Sequence, residues 1–264
     1  MKRAETGEFE MKNDIERLLA DVLDALTFLS RLPFARNVRK ARGANAAWAW
    51  PVAGLILAGI AGVVAALASW LGIGAGASAV VALTILIVAT GALHEDGLAD
   101  SFDGLWGGWT RERRLEIMRD SRIGTYGVIA LVLSIVARWI AISTLFAAGS
   151  DLAVAALFIA AATSRAAMTA TMVLLPNARD DGLSKLTGRP SNEVATASVG
   201  IAGLVAVALG GWSVLFVVPG VGIIAWGWAR VAKSRIGGQT GDILGASQQL
   251  CEITALLVLA ACWA

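Results

Sequence analysis

Seven apolar runs, each near or above the length of a membrane-spanning helix, divide this chain of 264 residues. The runs cover residues 46–70, 78–93, 126–148, 152–175, 194–209, 212–228 and 246–263. About 20 apolar residues in an α-helix cross the hydrocarbon core, and a helix satisfies its own backbone hydrogen bonds there. Charged residues make up only 16% of the chain, against about a quarter in soluble domains. The sequence therefore predicts an all-α, polytopic membrane bundle of about seven transmembrane helices.

Charged residues collect in alternate loops between these runs. The loops at 71–77, 149–151 and 210–211 are short and nearly uncharged, whereas the others carry most of the basic residues. Basic loops stay on the cytoplasmic side of a membrane. We therefore predict a multi-pass protein of the bacterial cytoplasmic (inner) membrane, with the C-terminus outside. The N-terminus and the polar loops should share the cytoplasmic face, where they can build one active site.

The N-terminal region shows a different pattern from the apolar runs. Residues 1–12 are polar and are predicted to be a disordered tail, and residues 13–264 a single catalytic domain. Apolar residues recur at helical spacing over 14–32, with charged residues between them. This spacing predicts an amphipathic helix, either lying at the cytoplasmic interface of the membrane or packed on the cytoplasmic loops.

Charge and cysteine content exclude several classes of protein. The net charge is +2 and basic residues are interleaved with acids, so no nucleic-acid partner is expected. Two cysteines and one histidine are too few for a disulfide framework or a Cys/His zinc site.

The segment after the second run carries three aspartates at helical spacing. Asp96, Asp100 and Asp103 fall at i, i+4 and i+7 and so share one helix face, with Glu95 at its edge. Carboxylates this close repel one another unless a cation lies between them. Mg²⁺ suits such ligands and keeps coordination positions for substrate phosphates. We predict a Mg²⁺ site here; the alternative is a solvated acidic helix end.

Two arginines lie inside apolar runs, and a histidine stands at the end of another. Arg138 and Arg165 should face the protein interior, where each binds either an anionic substrate group or a carboxylate. A buried ion pair that only holds helices together is the structural alternative. His94 is predicted to be either a substrate-binding residue or a hydrogen-bonding residue at the membrane boundary.

Two cytoplasmic loops add groups suited to phosphate. In the turn at 120–125, Arg122 can bind a phosphate through two N–H donors, and Asp120 can cap the following helix. The loop at 237–242 is rich in glycine, whose backbone N–H groups can hold phosphate oxygens, and Asp242 is a further candidate metal ligand. The substrate-binding candidates of this second loop are Gly238, Thr240 and Gly241.

Five motifs follow one another along the chain. They are FLSRLP at 28–33, WPVAG at 50–54, HEDGLADSFDGL at 94–105, EIMRDSRIGTYG at 116–127 and GGQTGD at 237–242. Together they resemble the cobalamin synthase family, also called adenosylcobinamide-GDP ribazoletransferases. The resemblance runs from near Phe28 to Glu252. It is broken at Glu95, where the resemblance leads us to expect an apolar residue between the histidine and the aspartate.

The resemblance implies the last assembly step of cobalamin. Adenosylcobinamide-GDP would be joined to α-ribazole, or to its 5′-phosphate, with release of GMP and a requirement for Mg²⁺. The implied roles are Mg²⁺ binding by Asp96, Asp100 and Asp103, phosphate binding by Arg122 and Arg165, and nucleotide or metal binding by the 237–242 loop. The general base is left open among Asp103, Asp120 and Glu95.

Two other functions fit parts of the pattern. A membrane phosphotransferase of the CDP-alcohol type would share the metal site and act on a lipid alcohol. A secondary transporter would place its polar residues near the bilayer midplane and show internal repeats. Here the polar residues collect at one face and no repeat is seen. Membrane lipid is an expected partner, and a homo-oligomer or a complex with other cobalamin-assembly enzymes is left open.

Overall fold

Every regular element of the computed structural model is helical across the residues that it describes, 2–33 and 42–264, with side chains described from Asp14 onward except at 183. The helices are α1 Lys2–Leu29, α2 Trp50–Trp70, α3 Ala75–Thr90, α4 Leu93–Gly107, α5 Arg111–Ile117, α6 Thr125–Ala148, α7 Ser150–Leu174, α8 Leu183–Thr187, α9 Asn192–Gly210, α10 Val214–Ile236 and α11 Gly241–Trp263. A 3₁₀ segment, Gly43–Ala49, leads into α2. The all-α prediction is confirmed.

Within the described ranges, five helical segments are long and apolar enough to cross a membrane, or six if the bent pair α3 and α4 counts as one. One of the five is Asn192–Ile236, which has 45 residues. At 1.5 Å per residue it would measure about 68 Å, more than twice the hydrocarbon thickness. It breaks at Gly211, whose φ is +54°, and α9 contacts α10. Because it therefore supplies two crossings, the bundle agrees with the predicted number of about seven.

The bend between α3 and α4 differs from the sequence prediction of a run ending at residue 93. Gly91 and Ala92 both have positive φ, +62° and +56°, and this left-handed pair ends α3. The two helix axes then meet at 84°. As a consequence α4 leaves the direction of α3 and carries the acidic motif across the end of the bundle, onto α6 and α11.

Helices α7 and α11 form the centre of the bundle. Among the candidate spans in the described residues they are the most buried, and α7 contacts α2, α6, α9, α10 and α11. Small residues such as Ala153, Ala156 and Ala160 allow this close approach, as is typical of helices packed within membranes. Most side chains on α7 and α11 are therefore buried within the protein.

Among its described side chains, helix α1 has one buried face and one exposed apolar face. Leu26 and Leu29 are buried against Trp50, whereas Leu18 and Leu19 are 50% and 59% exposed. The exposed apolar face fits the predicted interfacial helix, and the buried one fits the alternative of packing on the protein. The predicted division into a tail at 1–12 and a domain from 13 stays a prediction, because the side chains of residues 2–13 are outside the described set and Met1 is outside the described residues.

The polar loops contact one another at one end of the bundle. Arg111 Nε donates to the Ile236 carbonyl oxygen at 3.0 Å, and its Nη2 donates to the Ala178 carbonyl oxygen. Arg119 forms a salt bridge with Asp181 at 2.6 Å. These contacts join the 108–124 segment to the 176–191 segment and to the C-terminal end of α10, which lie far apart in the chain. The expectation that the polar loops share a face is therefore supported.

Candidate active site

Helices α4 and α11 cross at two glycines. A β-carbon on Gly97 would lie 2.9 Å from the Asp242 carbonyl oxygen, and one on Gly245 would lie 3.3 Å from the Gly97 Cα. The first distance is shorter than a real β-carbon contact and the second is tighter than most, so glycine at both positions permits the close crossing. The crossing brings the acidic motif of α4 beside Asp242, the second residue of α11.

Four carboxylates gather near this crossing. Asp100 lies within electrostatic reach of Asp96, Asp103 and Asp242, and Asp96 also acts on Asp242. Arg179 is the nearby countercharge, with its Nη2 3.4 Å from Asp242 Oδ2. Among the described residues, no three His, Cys, Asp or Glu side chains are arranged closely enough to hold a metal ion. The carboxylates are gathered but do not converge on one point.

Asp103 makes a different set of contacts from the other two aspartates of its motif. Its Oδ2 accepts the Gly124 N–H at 2.7 Å and its Oδ1 accepts the Gly127 N–H at 2.9 Å. A β-carbon on Gly124 would lie 2.5 Å from Asp103 Oδ1, and one on Gly127 would also collide with this carboxylate. Asp103 therefore caps the N-terminus of α6 from α4, using both carboxylate oxygens.

A cavity of about 110 Å³ lies beside the crossing. Its lining combines apolar and polar side chains. The apolar lining comes from Phe28, Leu29, Trp50, Leu93, Met168, Met172 and Leu244, and the polar lining from His94, Asp96, Arg179, Ser184, Thr187 and Asp242. His94 is 2% exposed, and neither its Nε2 nor Arg179 Nη1 has a hydrogen-bond partner in the described protein. Buried polar groups rarely stay unpaired, so these atoms indicate a ligand or water position.

Glu95 turns away from the cavity into a buried network of charges. Arg138 Nη1 lies 3.0 Å from Glu95 Oε1 and 3.4 Å from Glu252 Oε1, and Arg165 Nη1 lies 3.8 Å from Glu252 Oε2. Gln248 and Gln249 on α11 donate to Glu252 and Glu95, respectively. Two acids and two arginines thus meet where α4, α6, α7 and α11 come together.

This network gives the intramembrane arginines protein partners. Arg165 also donates to the Ala161 carbonyl oxygen at 3.2 Å, and a β-carbon on Gly54 would lie 2.6 Å from Arg165 Cδ. Neither Arg138 nor Arg165 lines the cavity. These contacts match the alternative in which a buried pair locks helices together; substrate binding by either arginine stays a prediction.

Asp120 and Arg122 pair with each other outside the cavity. Arg122 Nε lies 3.0 Å from both Asp120 oxygens and Nη2 lies 2.6 Å from Oδ2, while the arginine side chain is 86% exposed. Hydrogen bonds from Arg122 lower the pKa of Asp120 to about 2. A carboxylate with so low a pKa is a weak proton acceptor at neutral pH. Phosphate binding by Arg122 stays a prediction.

The glycine-rich 237–242 loop is held against the segment after α7. Gln239 N–H donates to the Pro176 carbonyl oxygen and Ala178 N–H to the Gln239 carbonyl oxygen, both at 2.8 Å. A β-carbon on Gly238 would collide with Pro176. Thr240 Oγ1 accepts the Ile243 N–H at 3.3 Å and donates to Asp242 Oδ2 at 3.1 Å. Of the predicted substrate-binding residues of this loop, only Gly241 lines the cavity.

Three groups were not predicted as site residues from the sequence. Arg179 stands among several charges of its loop and gives no separate signal. The apolar wall of the cavity is assembled from α1, α2, α7 and α11, and no spacing within one helix reveals it. Glu252 could have been found, because it is a lone acid within an apolar run, where charges mark functional or paired positions.

The sequence is similar to one known family and to individual proteins. The profile of the family described as Cobalamin-5-phosphate synthase matches residues 21–260. A relative from Bradyrhizobium diazoefficiens, named adenosylcobinamide-GDP ribazoletransferase, is 47% identical over 251 residues, 94% of this chain and 95% of its own length. Proteins with the same name from Mesorhizobium japonicum and Azorhizobium caulinodans are 43% and 42% identical, covering 92% and 91% of this chain and 93% and 95% of their own lengths. No solved structure matches significantly. On its sequence, the chain belongs to the Cobalamin-5-phosphate synthase family.

Proposed function

We propose that the chain joins adenosylcobinamide-GDP to α-ribazole, or to its 5′-phosphate, and releases GMP at the cavity beside the α4 and α11 crossing. The observation that carries the proposal is the meeting of Asp96, Asp242 and Arg179 with an apolar wall in one cavity. Phosphoryl chemistry needs charge beside the phosphates, and a nucleoside acceptor needs an apolar surface for its base. The names of the relatives support this choice of substrates.

The reaction exchanges one phosphorus–oxygen bond for another. A ribose hydroxyl oxygen of the acceptor attacks the phosphorus that carries the corrinoid, and the pyrophosphate bond to GMP breaks. The hydroxyl proton passes to a base. Asp96, Asp100 and Asp242 would hold Mg²⁺, because their three negative charges outnumber the one positive charge of the nearby Arg179. When bound, Mg²⁺ would neutralise charge on the phosphates and the leaving group.

The side chains that face the cavity limit the choice of proton acceptor. The candidates from the sequence are engaged elsewhere: Glu95 with Arg138, Asp103 with two backbone N–H groups, and Asp120 with Arg122. His94 lines the cavity, and its Nε2 has no hydrogen-bond partner in the described protein. We propose that His94 accepts the proton of the attacking hydroxyl group. Arg179 would bind a phosphate oxygen through its unpartnered Nη1.

The proposal includes the membrane in which the enzyme lies and its orientation there. We place it in the bacterial cytoplasmic membrane with the polar loops facing the cytoplasm, since those loops carry the basic residues. Both soluble substrates would then reach the cavity from the cytoplasm. Association with a second copy or with other cobalamin-assembly enzymes stays a prediction, and the mass of the purified protein in detergent would decide it.

The proposal is tested by product release from the purified protein in detergent. GMP should appear from adenosylcobinamide-GDP only when both α-ribazole and Mg²⁺ are present, together with a corrinoid product whose mass contains the acceptor. A diacylglycerol in place of α-ribazole serves as the control acceptor. GMP release with the lipid alcohol and none with α-ribazole would favour the lipid phosphotransferase instead.

A further inference from the structure

The cavity has an aromatic and sulfur-rich wall that the transfer chemistry does not use. Trp50 is 2% exposed and stacks on Phe28, with ring centroids 5.6 Å apart and an interplanar angle of 11°. Met168 and Met172, 4% and 1% exposed, continue this wall from α7. Methionine sulfur packs favourably against aromatic rings, and its flexible side chain adapts to a ligand. This wall offers a flat, apolar surface and no hydrogen-bond donor apart from indole N–H.

The same cavity also has polar lining residues, and part of that lining reaches solvent. Asp96 is exposed, which marks the mouth, while His94 is buried with its Nε2 unpartnered. A ligand that fills the cavity therefore has an apolar flat part at the inner wall and hydroxyl groups facing His94 and the carboxylates. A nucleoside with an apolar base has both parts, because its base is flat and apolar and its ribose carries the hydroxyl groups.

The substrates of the proposed reaction differ in how well they match the wall. A corrin ring is far larger than a cavity of about 110 Å³. Guanine carries several donors and acceptors, and burying them without partners is unfavourable. The base of ribazole is a dimethylbenzimidazole, which is flat and has no N–H donor once it is joined to ribose. An apolar cavity of about 150 Å³ can hold benzene, so this base requires movement of the methionines.

We infer that the wall formed by Phe28, Trp50, Met168 and Met172 binds the benzimidazole base of the acceptor nucleoside and selects it over purine bases. The inference rests on the proposed function. It places the ribose between the wall and His94, and so directs a hydroxyl group toward the carboxylates of α4 and α11. The GDP-linked substrate then approaches from the mouth of the cavity.

Binding measurements on Met172 variants test the inference without requiring turnover. Met172→Phe narrows the cavity and should raise the Kd for labelled α-ribazole about tenfold or more, while the Kd for adenosylcobinamide-GDP stays within about twofold. Met172→Leu nearly conserves volume, a change that costs little stability, and should raise the Kd for α-ribazole about two- to fivefold. Met118→Phe is the matched control, because Met118 is also buried but lies beside Gly104, away from the cavity.

The outcomes separate the inference from the proposed function. Unchanged α-ribazole binding in both Met172 variants would overturn the inference, as would a loss confined to adenosylcobinamide-GDP. If Met172→Phe unfolds, the Kd of Met172→Leu for α-ribazole decides whether the inference holds. In the wild type, free dimethylbenzimidazole should displace α-ribazole and guanosine should not; the reverse order would also overturn the inference. Absence of GMP release by wild-type protein would refute the proposed function instead, whatever the Met172 variants bind.

Discussion

Replacing Asp96 with asparagine is expected to lower the rate of GMP release by roughly 100- to 1,000-fold, with little change in folding. Asp96 is exposed at the mouth of the cavity, and it accompanies Asp100 and Asp242 at the crossing of α4 and α11. Asparagine keeps the size of the side chain and removes the charge that would attract Mg²⁺. Initial rates over a range of Mg²⁺ concentrations, with thermal unfolding measured alongside, check this expectation.

Asp103→Asn is the comparison that distinguishes the two kinds of aspartate. Both oxygens of Asp103 accept backbone N–H groups at the start of α6, and an amide group can accept only one of them. Loss of a helix cap costs about 0.5–2 kcal/mol, so this variant should be less stable and should keep a larger share of its activity. Near-normal activity of Asp96→Asn, or equal loss of activity in both variants at full stability, would contradict these assignments.

Replacing Arg138 with methionine is expected to lower the free energy of unfolding by about 3–5 kcal/mol. The substitution leaves Glu95 and Glu252 buried among helices without the guanidinium that lies 3.0 Å and 3.4 Å from them. Unpaired buried carboxylates are costly within a bilayer. Unfolding by SDS titration in mixed micelles measures the loss. Arg230→Met, at an exposed position of α10, should change stability by about 0.5 kcal/mol or less.

The second replacement that tests this network is Glu95→Gln. Added to Arg138→Met, it removes the charge of Glu95, which has then lost its arginine, whereas Glu252 keeps Arg165 at 3.8 Å. The second substitution should therefore restore part of the lost stability. The sequence offered substrate binding as the other role for this arginine. If Arg138→Met keeps its stability and instead raises the KM for adenosylcobinamide-GDP, then that role is correct and the network is not a structural lock.

The sequence predicted the class of fold well because its signals are local. Apolar runs and the charge of the loops sufficed for an all-α membrane bundle, and the spacing of Asp96, Asp100 and Asp103 correctly predicted a helix, α4. The bend before α4 was missed, since it depends on positive φ at Ala92 as well as at Gly91, and alanine rarely adopts that conformation.

The candidate site depends on contacts between distant parts of the chain. Spacing along α4 groups Asp103 with the other aspartates. The sequence around Asp103 does not reveal that it accepts hydrogen bonds from the backbone N–H groups of Gly124 and Gly127 at the start of α6. Spacing likewise identified Arg138 as an unusual intramembrane charge but not its partners on α4 and α11. The binding of Mg²⁺ and the roles of the individual site residues stay predictions.

Metal-directed cleavage tests the central claim, that the metal site of a ribazole transferase lies at the crossing of α4 and α11. Fe²⁺ in place of Mg²⁺, with ascorbate and peroxide, cuts the backbone beside the site that it occupies. Cuts are expected next to Asp96 on α4 and next to Asp242 at the start of α11. Excess Mg²⁺ and the Asp96→Asn substitution should both suppress them. Cuts confined to the turn at 120–125, or cuts that Mg²⁺ does not suppress, would contradict the account.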